Sequence, residues 1–277
     1  MMKKKTEITA KAGHEGMIPC DNASGNLLWV VGIGPGGFDS MTREAAAALR
    51  SAEVIVGYHV YNEIVISEYP EKEYLSTGMT QEVERCKLAL ETAAAGRITA
   101  LVCSGDPGIY GMAAPVLELA PQYPGVKIRL VAGVTAAASG AALLGAPLSN
   151  DFAVISLSDR LTDWTVIEKR LEMAARGDFA IVLYNPGSRH RKGHLKRACD
   201  VLLKFLDPSC VCGIAINVGR PGESCELMSL MELRETEVDM FTTVFIGSSS
   251  TRSVEDRMVT PRGYDISSNN YRKENVM

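Results

Sequence analysis

The sequence lacks any apolar run of the ~18–20 residues that a membrane-spanning helix requires. Three lysines lie near its start, but no apolar segment follows them, so residues 1–26 do not resemble a secretory signal. The net charge is only −4 and the isoelectric point is near 5.7, which gives no overall electrostatic reason to bind nucleic acid or an anionic membrane. We therefore expect a cytoplasmic protein whose partners are neither nucleic acid nor membrane.

Metal sites and several common catalytic motifs are also missing. The chain has seven cysteines and four histidines, and an odd cysteine count without a secretory signal favours reduced thiols. Cys210 and Cys212 form the one close cysteine pair, and no further cysteine or histidine is spaced to complete a metal site around it. There is no Walker A loop, no G-x-S-x-G elbow and no H-E-x-x-H motif. We expect no protein-bound metal.

What is present is a strand–helix alternation in a chain of 277 residues, 46% of them hydrophobic. That alternation predicts βαβ units and a mainly parallel sheet. The predicted strands of the first half lie at 27–33, 53–57, 98–103 and 126–131. A helix is predicted from about Met41 to Ser51, capped by Asp39 or Ser40.

The second half changes character. Strands are predicted at 152–157, 179–184 and 211–218, followed by two that read as antiparallel because polar and apolar residues mix, at 225–229 and 240–246. We expect an α/β protein of two domains, a mainly parallel N-terminal sheet and a mixed C-terminal sheet, with a cleft between them. The predicted boundaries are a flexible extension at 1–26, domains at 27–147 and 148–266, and a flexible tail at 267–277.

Three glycine-containing loops follow predicted strands of the first half. The first, Gly32–Gly37, matches G-x-G-x-x-G, but the second strand ends without the acid that a dinucleotide site needs, and Pro35 removes an N–H from the loop. The second, Ser104–Gly111, holds Asp106 between a glycine and a proline. Asp106 suits ribose hydroxyls or an amine, the alternative being an ordinary Asx turn. The third is Ala132–Ser139. Parallel strands bring such loops to one edge, where ligands bind.

The segment 184–197 carries five Lys/Arg residues and two histidines with no acid, within an acidic protein. A run of charge is commonly a solvated face, but a localised positive loop also fits a ligand rich in carboxylates or phosphates. The candidate ligand-binding residues are Arg189, Arg191 and Lys192. Arg220, after the next strand, adds a further cation.

Taken in order, these loops resemble the tetrapyrrole methylase family. The family's V-x-G-x-G-P-G pattern appears at Val30–Gly36, its G-D-P loop at Gly105–Pro107, and its P-G-[VI]-[TS] loop at Ala132–Thr135, where Ala132 replaces the usual proline. The similarity extends over roughly 27–264. Further blocks resemble the C(17)-methyltransferases that act on precorrin-3B or cobalt-precorrin-3: these are Val56–Tyr58, Ser76–Met79, Gly108–Ala113, Leu144–Leu148, Ile155–Asp159, Tyr184–Pro186, Gly219–Arg220 and Thr260–Tyr264.

The resemblance implies S-adenosylmethionine in the cleft between two α/β domains, usually in a homodimer. It implies methylation of carbon 17 of a corrinoid precursor, with contraction of the macrocycle, during cobalamin synthesis. The many carboxylates of that tetrapyrrole substrate would account for the basic segment. The residues implied for the methyl donor are Gly34, Pro35, Ser104, Gly105, Asp106, Ile109, Thr135, Ala136, Asn185 and Gly219.

Methyl transfer to an enamine carbon needs alignment of the two reactants and exclusion of water from the site, but no strong base. Ring contraction in addition needs a proton transfer. The candidates for that transfer are Ser104, Asp106, Tyr110, His190 and His194, and the sequence does not choose among them. Two alternatives stay open. One is a family member that acts on another corrin carbon or on a translation component, and the other is a dinucleotide-binding oxidoreductase.

Overall fold

The first half of the chain forms one parallel sheet covered by helices on both faces. The structure, a computed structural model, describes residues 25–188 and 192–264. The five strands of this sheet follow the order β3-β2-β4-β1-β5. In chain order its elements are β1 (Leu27–Gly32), α1 (Arg43–Ser51), β2 (Val54–Tyr58), α2 (His59–Ile66), β3 (Glu73–Thr77), α3 (Glu82–Ala94), β4 (Thr99–Cys103), α4 (Ala113–Leu119) and β5 (Lys127–Val131).

Strand β1 lies inside this sheet, hydrogen-bonded to β4 on one side and β5 on the other. All six of its residues are buried. Leu28 and Val30 pack into the apolar layer on one face of the sheet, and Trp29 and Val31 pack into the layer on the other. A continuous apolar run is the pattern of a strand buried on both faces, and the prediction of a parallel first sheet is confirmed.

The first helix starts later than the sequence predicted. Asp39 and Ser40 lie in a 3-10 turn, and α1 begins at Arg43. Its N-cap is Thr42, whose Oγ1 accepts a hydrogen bond from the Ala45 N–H at 3.0 Å. The predicted cap was therefore wrong by two to three residues, because three neighbouring polar residues are all acceptable caps.

The segment between β2 and β4 contains a helix and a strand that the sequence did not reveal. Helix α2 begins directly after β2, with Tyr58 at its N-cap position and no side-chain cap, so no turn signal separates the two elements. Strand β3 is an edge strand of mixed exposure with few apolar residues. Helix α2 matters below, because its residue Tyr61 lines the cleft.

The second half forms a mixed sheet. Its elements are α5 (Ala136–Leu144), β6 (Gly145–Ala146), β7 (Phe152–Ser156), α6 (Trp164–Arg176), β8 (Ala180–Tyr184), α7 (His194–Leu202), β9 (Val211–Ile216), β10 (Ser224–Ser229), α8 (Leu230–Glu235), β11 (Thr242–Ile246), β12 (Arg252–Val254) and β13 (Arg257–Val259). The strand order is β10-β9-β11-β8-β7. Within this five-stranded sheet only the β7–β8 pair is parallel, and β6, β12 and β13 form a separate three-stranded sheet. The antiparallel pairing predicted for the last two long strands is confirmed, and so is the α/β fold class.

Helix α5 follows the last strand of the first sheet but packs against the second. Ala137, Ala141 and Leu144 share an apolar cluster with Phe245 of β11 and Ala215 of β9. Directly after it, β6 pairs in parallel with β13 near the end of the described chain. From about residue 136 onwards, the chain therefore packs with the second sheet rather than with the first. The domain boundaries at 147 and 148 stay a prediction.

Three further findings concern what the described residues do not contain. None of their helices has both the length and the apolarity to cross a membrane. Across 25–188 and 192–264, no three His, Cys, Asp or Glu side chains are grouped so that they could hold a metal ion. The six cysteines in these ranges are free thiols.

Candidate active site

The three glycine loops of the first sheet meet backbone to backbone. Gly105 N–H donates to the Gly34 carbonyl at 2.8 Å, and Gly34 N–H donates to the Gly105 carbonyl at 3.2 Å. A Cβ at Gly133 would lie 2.1 Å from the Gly105 oxygen and 2.6 Å from the Gly32 oxygen. No side chain fits into such contacts, so glycine is required there. The contacts bring the ends of β1, β4 and β5 to one edge, as predicted.

The Asp106 side chain forms hydrogen bonds to two of these loops. Its Oδ1 accepts from the Gly108 N–H at 2.8 Å, which makes an Asx turn, and its Oδ2 accepts from the Gly133 N–H at 3.0 Å. The Asx-turn alternative is therefore present in the structure. A carboxylate has about four lone-pair sites, so two protein hydrogen bonds leave room for a ligand hydroxyl or ammonium group.

A loop of the second sheet closes against the first loop of the first sheet. The Gly37 N–H donates to the Gly219 carbonyl at 3.1 Å. Beside it, Arg220 Nε donates to the Pro35 carbonyl at 3.0 Å and Arg220 Nη2 to Ser104 Oγ at 3.3 Å. The guanidinium also lies 5.4 Å from the centre of the Phe241 ring. Arg220 thus connects loops of both halves.

Two tyrosines connect the halves on another side of the cleft. The Tyr110 hydroxyl donates to the Val154 carbonyl at 3.0 Å and accepts from the Ser156 N–H at 3.2 Å, both on β7. The Tyr184 hydroxyl bonds with Thr135 Oγ1 and accepts from the Ala137 N–H at 2.7 Å, at the start of α5. The two rings are 5.6 Å apart.

The electrostatics of Tyr184 follow from its surroundings. Burial raises the pKa of Tyr184 above its ordinary value, while the hydrogen bond with Thr135 opposes that shift. The phenol is therefore protonated at neutral pH. It acts as a fixed hydrogen-bonding group for the first turn of α5 rather than as a base.

The loops enclose a cleft with a cavity volume of about 200 Å³, part of it open to solvent. Ten residues predicted for the site line it: Pro35, Ser104, Gly105, Asp106, Ile109, Tyr110, Thr135, Ala136, Asn185 and Arg220. Gly34 and Gly219 do not line it but hold its walls by the backbone bonds described above.

The basic segment is only partly placed. Arg189, His190 and Arg191 lie outside the described residues. Lys192 is exposed and does not line the cleft. His194 does not line it either: its Nε2 lies 3.1 Å from Asp159 Oδ2, and its ring meets that of Trp164 edge-on. Roles for these residues stay predictions.

Several lining residues were missed by the sequence analysis. They are Tyr61, Ser139, Tyr184, Asn217, Val218, Met240, Phe241 and Thr243. Asn217 and Asn185 have φ values of 51° and 55°, in the left-handed region where non-glycine residues are uncommon and often functional. Asn217 lies at the end of an apolar run, as Asn185 does, and that position is the signal that could have found it.

The parallel sheet, its three fused loops and the mixed sheet across the cleft define a class, the α/β proteins that bind a small molecule at the carboxyl ends of parallel strands. Residues 27–234 match the family model described as Tetrapyrrole (Corrin/Porphyrin) Methylases. The chain belongs to this family, and its enzymes are S-adenosylmethionine-dependent methyltransferases.

Individual relatives agree with this membership. The chain is 46% identical over 241 residues to a "Probable cobalt-factor III C(17)-methyltransferase" of Salmonella typhimurium, covering 87% of this chain and 100% of that protein. It is 40% identical to the "Cobalt-factor III methyltransferase" of Priestia megaterium, covering 87% of this chain but 45% of that protein. The chain therefore spans the first relative fully and about half of the second.

Solved structures show the same fold. The crystal structure of the methyltransferase CobJ superposes with a TM-score of 0.79 at 38% identity, covering 85% of this chain and 100% of that one. A uroporphyrin-III C-methyl transferase from Thermus thermophilus, complexed with S-adenosyl homocysteine, superposes with a TM-score of 0.63 at 24% identity, covering 79% of this chain and 96% of that one. The second likeness concerns the fold alone.

Proposed function

We propose that this chain methylates carbon 17 of precorrin-3B or cobalt-precorrin-3, with contraction of the macrocycle, in cobalamin biosynthesis. The observation that carries the proposal is the 46% identity to a full-length relative named as a cobalt-factor III C(17)-methyltransferase. The relatives' names favour a substrate that contains cobalt. That cobalt would belong to the substrate and not to the protein.

The residues of the cleft fit S-adenosylmethionine. Gly105, at φ 67°, leaves the loop surface free of a side chain, and Ala136 and Thr135 keep the opposite loop small. The carboxylate of Asp106 retains acceptor sites for ribose hydroxyls or the donor's ammonium group. When bound, S-adenosylmethionine supplies an electrophilic methyl group.

The protein's own contribution is alignment and exclusion of water. The tyrosine hydroxyls that line the cleft at Tyr110 and Tyr184 are held by backbone groups, so they fix the geometry of the loops around the donor. Val218, Met240 and Phe241 add apolar surface. Such a preorganised and partly dry site suits an in-line displacement, which needs no strong base.

We also propose, from the family resemblance, that the chain works as a homodimer in the cytoplasm. Light scattering of the purified chain measures its mass in solution, and a monomer at working concentration would contradict the proposal. Its free thiols at the six described cysteines are compatible with a reducing compartment.

The decisive experiment is an anaerobic incubation with a labelled methyl donor. Cobalt-precorrin-3 and metal-free precorrin-3B are supplied in parallel, and the products are identified by mass and by the position of the label. We expect one methyl group at carbon 17 and a contracted ring. Label at another carbon, or in no tetrapyrrole, would overturn the assignment.

Calorimetry separates the proposal from the oxidoreductase alternative. We expect S-adenosylhomocysteine to bind tightly and NAD to bind weakly, because Pro35 removes an N–H from the Gly32–Gly37 loop and no acid directly follows β2. Tight binding of NAD in place of S-adenosylhomocysteine would favour the alternative.

A further inference from the structure

Tyr61 is a further polar residue among those that line the cleft. It lies on α2, and its ring packs edge-on against Tyr58 with 5.4 Å between ring centres. Within the described residues, no hydrogen bond reaches its oxygen, whereas Tyr110 and Tyr184 in the same cleft each make two. Burial raises the pKa of Tyr61, so at neutral pH the group is an O–H donor.

Arg220 faces the same cleft with unused donors. Of its five N–H groups, one bonds to the Pro35 carbonyl and one to Ser104 Oγ, which leaves three without a partner in the described chain. None of the ion pairs between described residues includes Arg220. The guanidinium carbon lies 5.4 Å from the centre of the Phe241 ring.

Two cations lie near Tyr61. Burial raises the pKa of Tyr61 and Cys103 and Tyr58 add to that effect, whereas Arg220 and Arg85 act to lower it. Arg85 is only 5% exposed, and the partners of its guanidinium are neutral: Thr77 Oγ1 at 2.9 Å, the Gly78 carbonyl at 2.8 Å and the ring of Tyr58. A buried cation without a counter-charge favours an anionic ligand nearby.

The one carboxylate among the described lining residues is Asp106, and both its oxygens accept backbone N–H bonds. Its remaining acceptor sites suit hydroxyl or ammonium donors of a ligand, and it forms no ion pair with Arg220 among the described residues. The positive charge of Arg220 is therefore available to a carboxylate ligand.

We propose that Tyr61 and Arg220 together form a subsite for a carboxylate, with the guanidinium offering its unused N–H groups and the phenol one further O–H donor. The inference deepens the proposed methyltransferase function and rests on it. Two ligands of that reaction carry the required group: the amino-acid part of the methyl donor, and the acetate or propionate chains of the tetrapyrrole. The shared chemistry is a carboxylate bound by charge-assisted hydrogen bonds.

The test compares Tyr61→Phe with Tyr58→Phe. Both variants remove one phenolic oxygen from the same aromatic cluster, but only Tyr61 lines the cleft. Three ligands are titrated by calorimetry: S-adenosylhomocysteine, 5′-methylthioadenosine, which keeps the nucleoside and thioether but lacks the amino acid, and cobalt-precorrin-3. Melting temperatures verify that the variants fold.

We expect Tyr61→Phe to weaken one carboxylate-bearing ligand about tenfold, as for loss of a hydrogen bond to a charged group, and to leave 5′-methylthioadenosine unchanged. Weaker S-adenosylhomocysteine assigns the subsite to the donor, and weaker cobalt-precorrin-3 assigns it to the substrate. Unchanged affinity for both, or an equal loss for 5′-methylthioadenosine, would overturn the proposal.

A second variant tests the pair itself. Arg220→Lys keeps the positive charge but loses the planar fork. If Tyr61 and Arg220 bind one carboxylate, the losses in the double variant Tyr61→Phe, Arg220→Lys are not additive; additive losses would contradict a shared ligand. Failure of the proposed function is seen separately, because wild-type protein would then bind S-adenosylhomocysteine without methylating the tetrapyrrole.

Discussion

At the scale of single residues, Asp106 combines a structural and a binding role. Its two oxygens take the N–H groups of Gly108 and Gly133, so the side chain sets the distance between the loops after β4 and β5. The same carboxylate faces the cleft. A substitution there removes ligand contacts and loop contacts together, and only a matched control separates the two effects.

We predict that Asp106→Ala weakens S-adenosylhomocysteine binding by about 1–3 kcal/mol, because donors of the ligand and of the loops lose their acceptor. Asp207→Ala is the control: Asp207 forms a similar turn with Ser209, remote from the cleft lining, and we expect a change in melting temperature without a change in affinity. Calorimetry measures both. An Asp106→Ala protein with wild-type affinity would remove Asp106 from the donor site.

Cys103, at the end of β4, makes the stability of the protein sensitive to alkali. Burial raises the pKa of its thiol from 9.0 to about 12. The unfolded chain ionises first, so this contribution to stability is complete below pH 9 and is lost as the pH rises towards 12. Between pH 8 and pH 10.5 the loss is on the order of 2 kcal/mol.

The prediction is checked by urea unfolding at both pH values in wild-type protein and in Cys103→Ala. Other thiols and phenols ionise in both proteins, so the difference between the two pH dependences isolates Cys103. We expect the variant to lose less stability on going to pH 10.5. Equal losses would show that the thiol ionises alike in the folded and unfolded states.

At the scale of elements, the cleft depends on loops that pack without side chains. We predict that Gly133→Ala lowers stability by about 1–3 kcal/mol and weakens S-adenosylhomocysteine binding, because its Cβ meets only backbone atoms, which cannot move aside separately. Gly37→Ala is the matched control in a neighbouring loop. Gly37 has a φ of −67° and open space around its Cβ position. Thermal unfolding and calorimetry compare the two, and equal effects would contradict this explanation.

Some helices and strands could be predicted from the sequence, and others could not. Strands such as β1 and β4 were predictable because burial on both faces requires continuous apolar runs. Helix α2 and strand β3 were not, because α2 follows β2 without a cap and β3 is an edge strand of mixed exposure. Tyr61 was missed for that reason. Tyr61 reaches the cleft from helix α2, and no capping or turn residue in the sequence marks the start of that helix.

At the scale of the whole molecule, the cleft is assembled from residues far apart in the chain. Loop motifs identified Pro35 and Asp106 because their glycine and proline neighbours are informative, and the family resemblance identified Asn185. Phe241 and Tyr184 enter the same cleft through the pairing of β11 and β8 in the second sheet. Apolar and aromatic residues at strand ends have no distinctive pattern, so long-range pairing decides whether they line a site or a core.

Removing residues 1–24 tests the predicted extension. The described structure begins at Gly25, and Asn26 already accepts a hydrogen bond from the Lys127 N–H at 2.8 Å, so the truncation retains both residues. The segment shows no apolar periodicity, and we predict a melting temperature and S-adenosylhomocysteine affinity equal to those of the full chain. A fall of several degrees would show that the extension contributes to the fold.

The overall charge sets the last prediction. A protein of net charge −4 repels a polycarboxylate unless positive charge is concentrated where the substrate binds. We predict that the double variant Arg189→Ala, Arg191→Ala binds cobalt-precorrin-3 at least about tenfold more weakly, equivalent to roughly 1.4 kcal/mol. Its remaining affinity should depend less on salt, while S-adenosylhomocysteine binds as before.

The control for this variant is Lys87→Ala, Lys169→Ala, which removes the same two charges from exposed positions on α3 and α6. If net charge alone attracted the substrate, both double variants would weaken binding alike. Exposed ion pairs contribute only about 0–1 kcal/mol each, whereas hydrogen bonds from a desolvated guanidinium to a carboxylate contribute about 1.5–3 kcal/mol. The size of the loss at low salt therefore distinguishes direct contact from general attraction. Unchanged affinity in the Arg189→Ala, Arg191→Ala protein would mean that the substrate carboxylates are bound elsewhere.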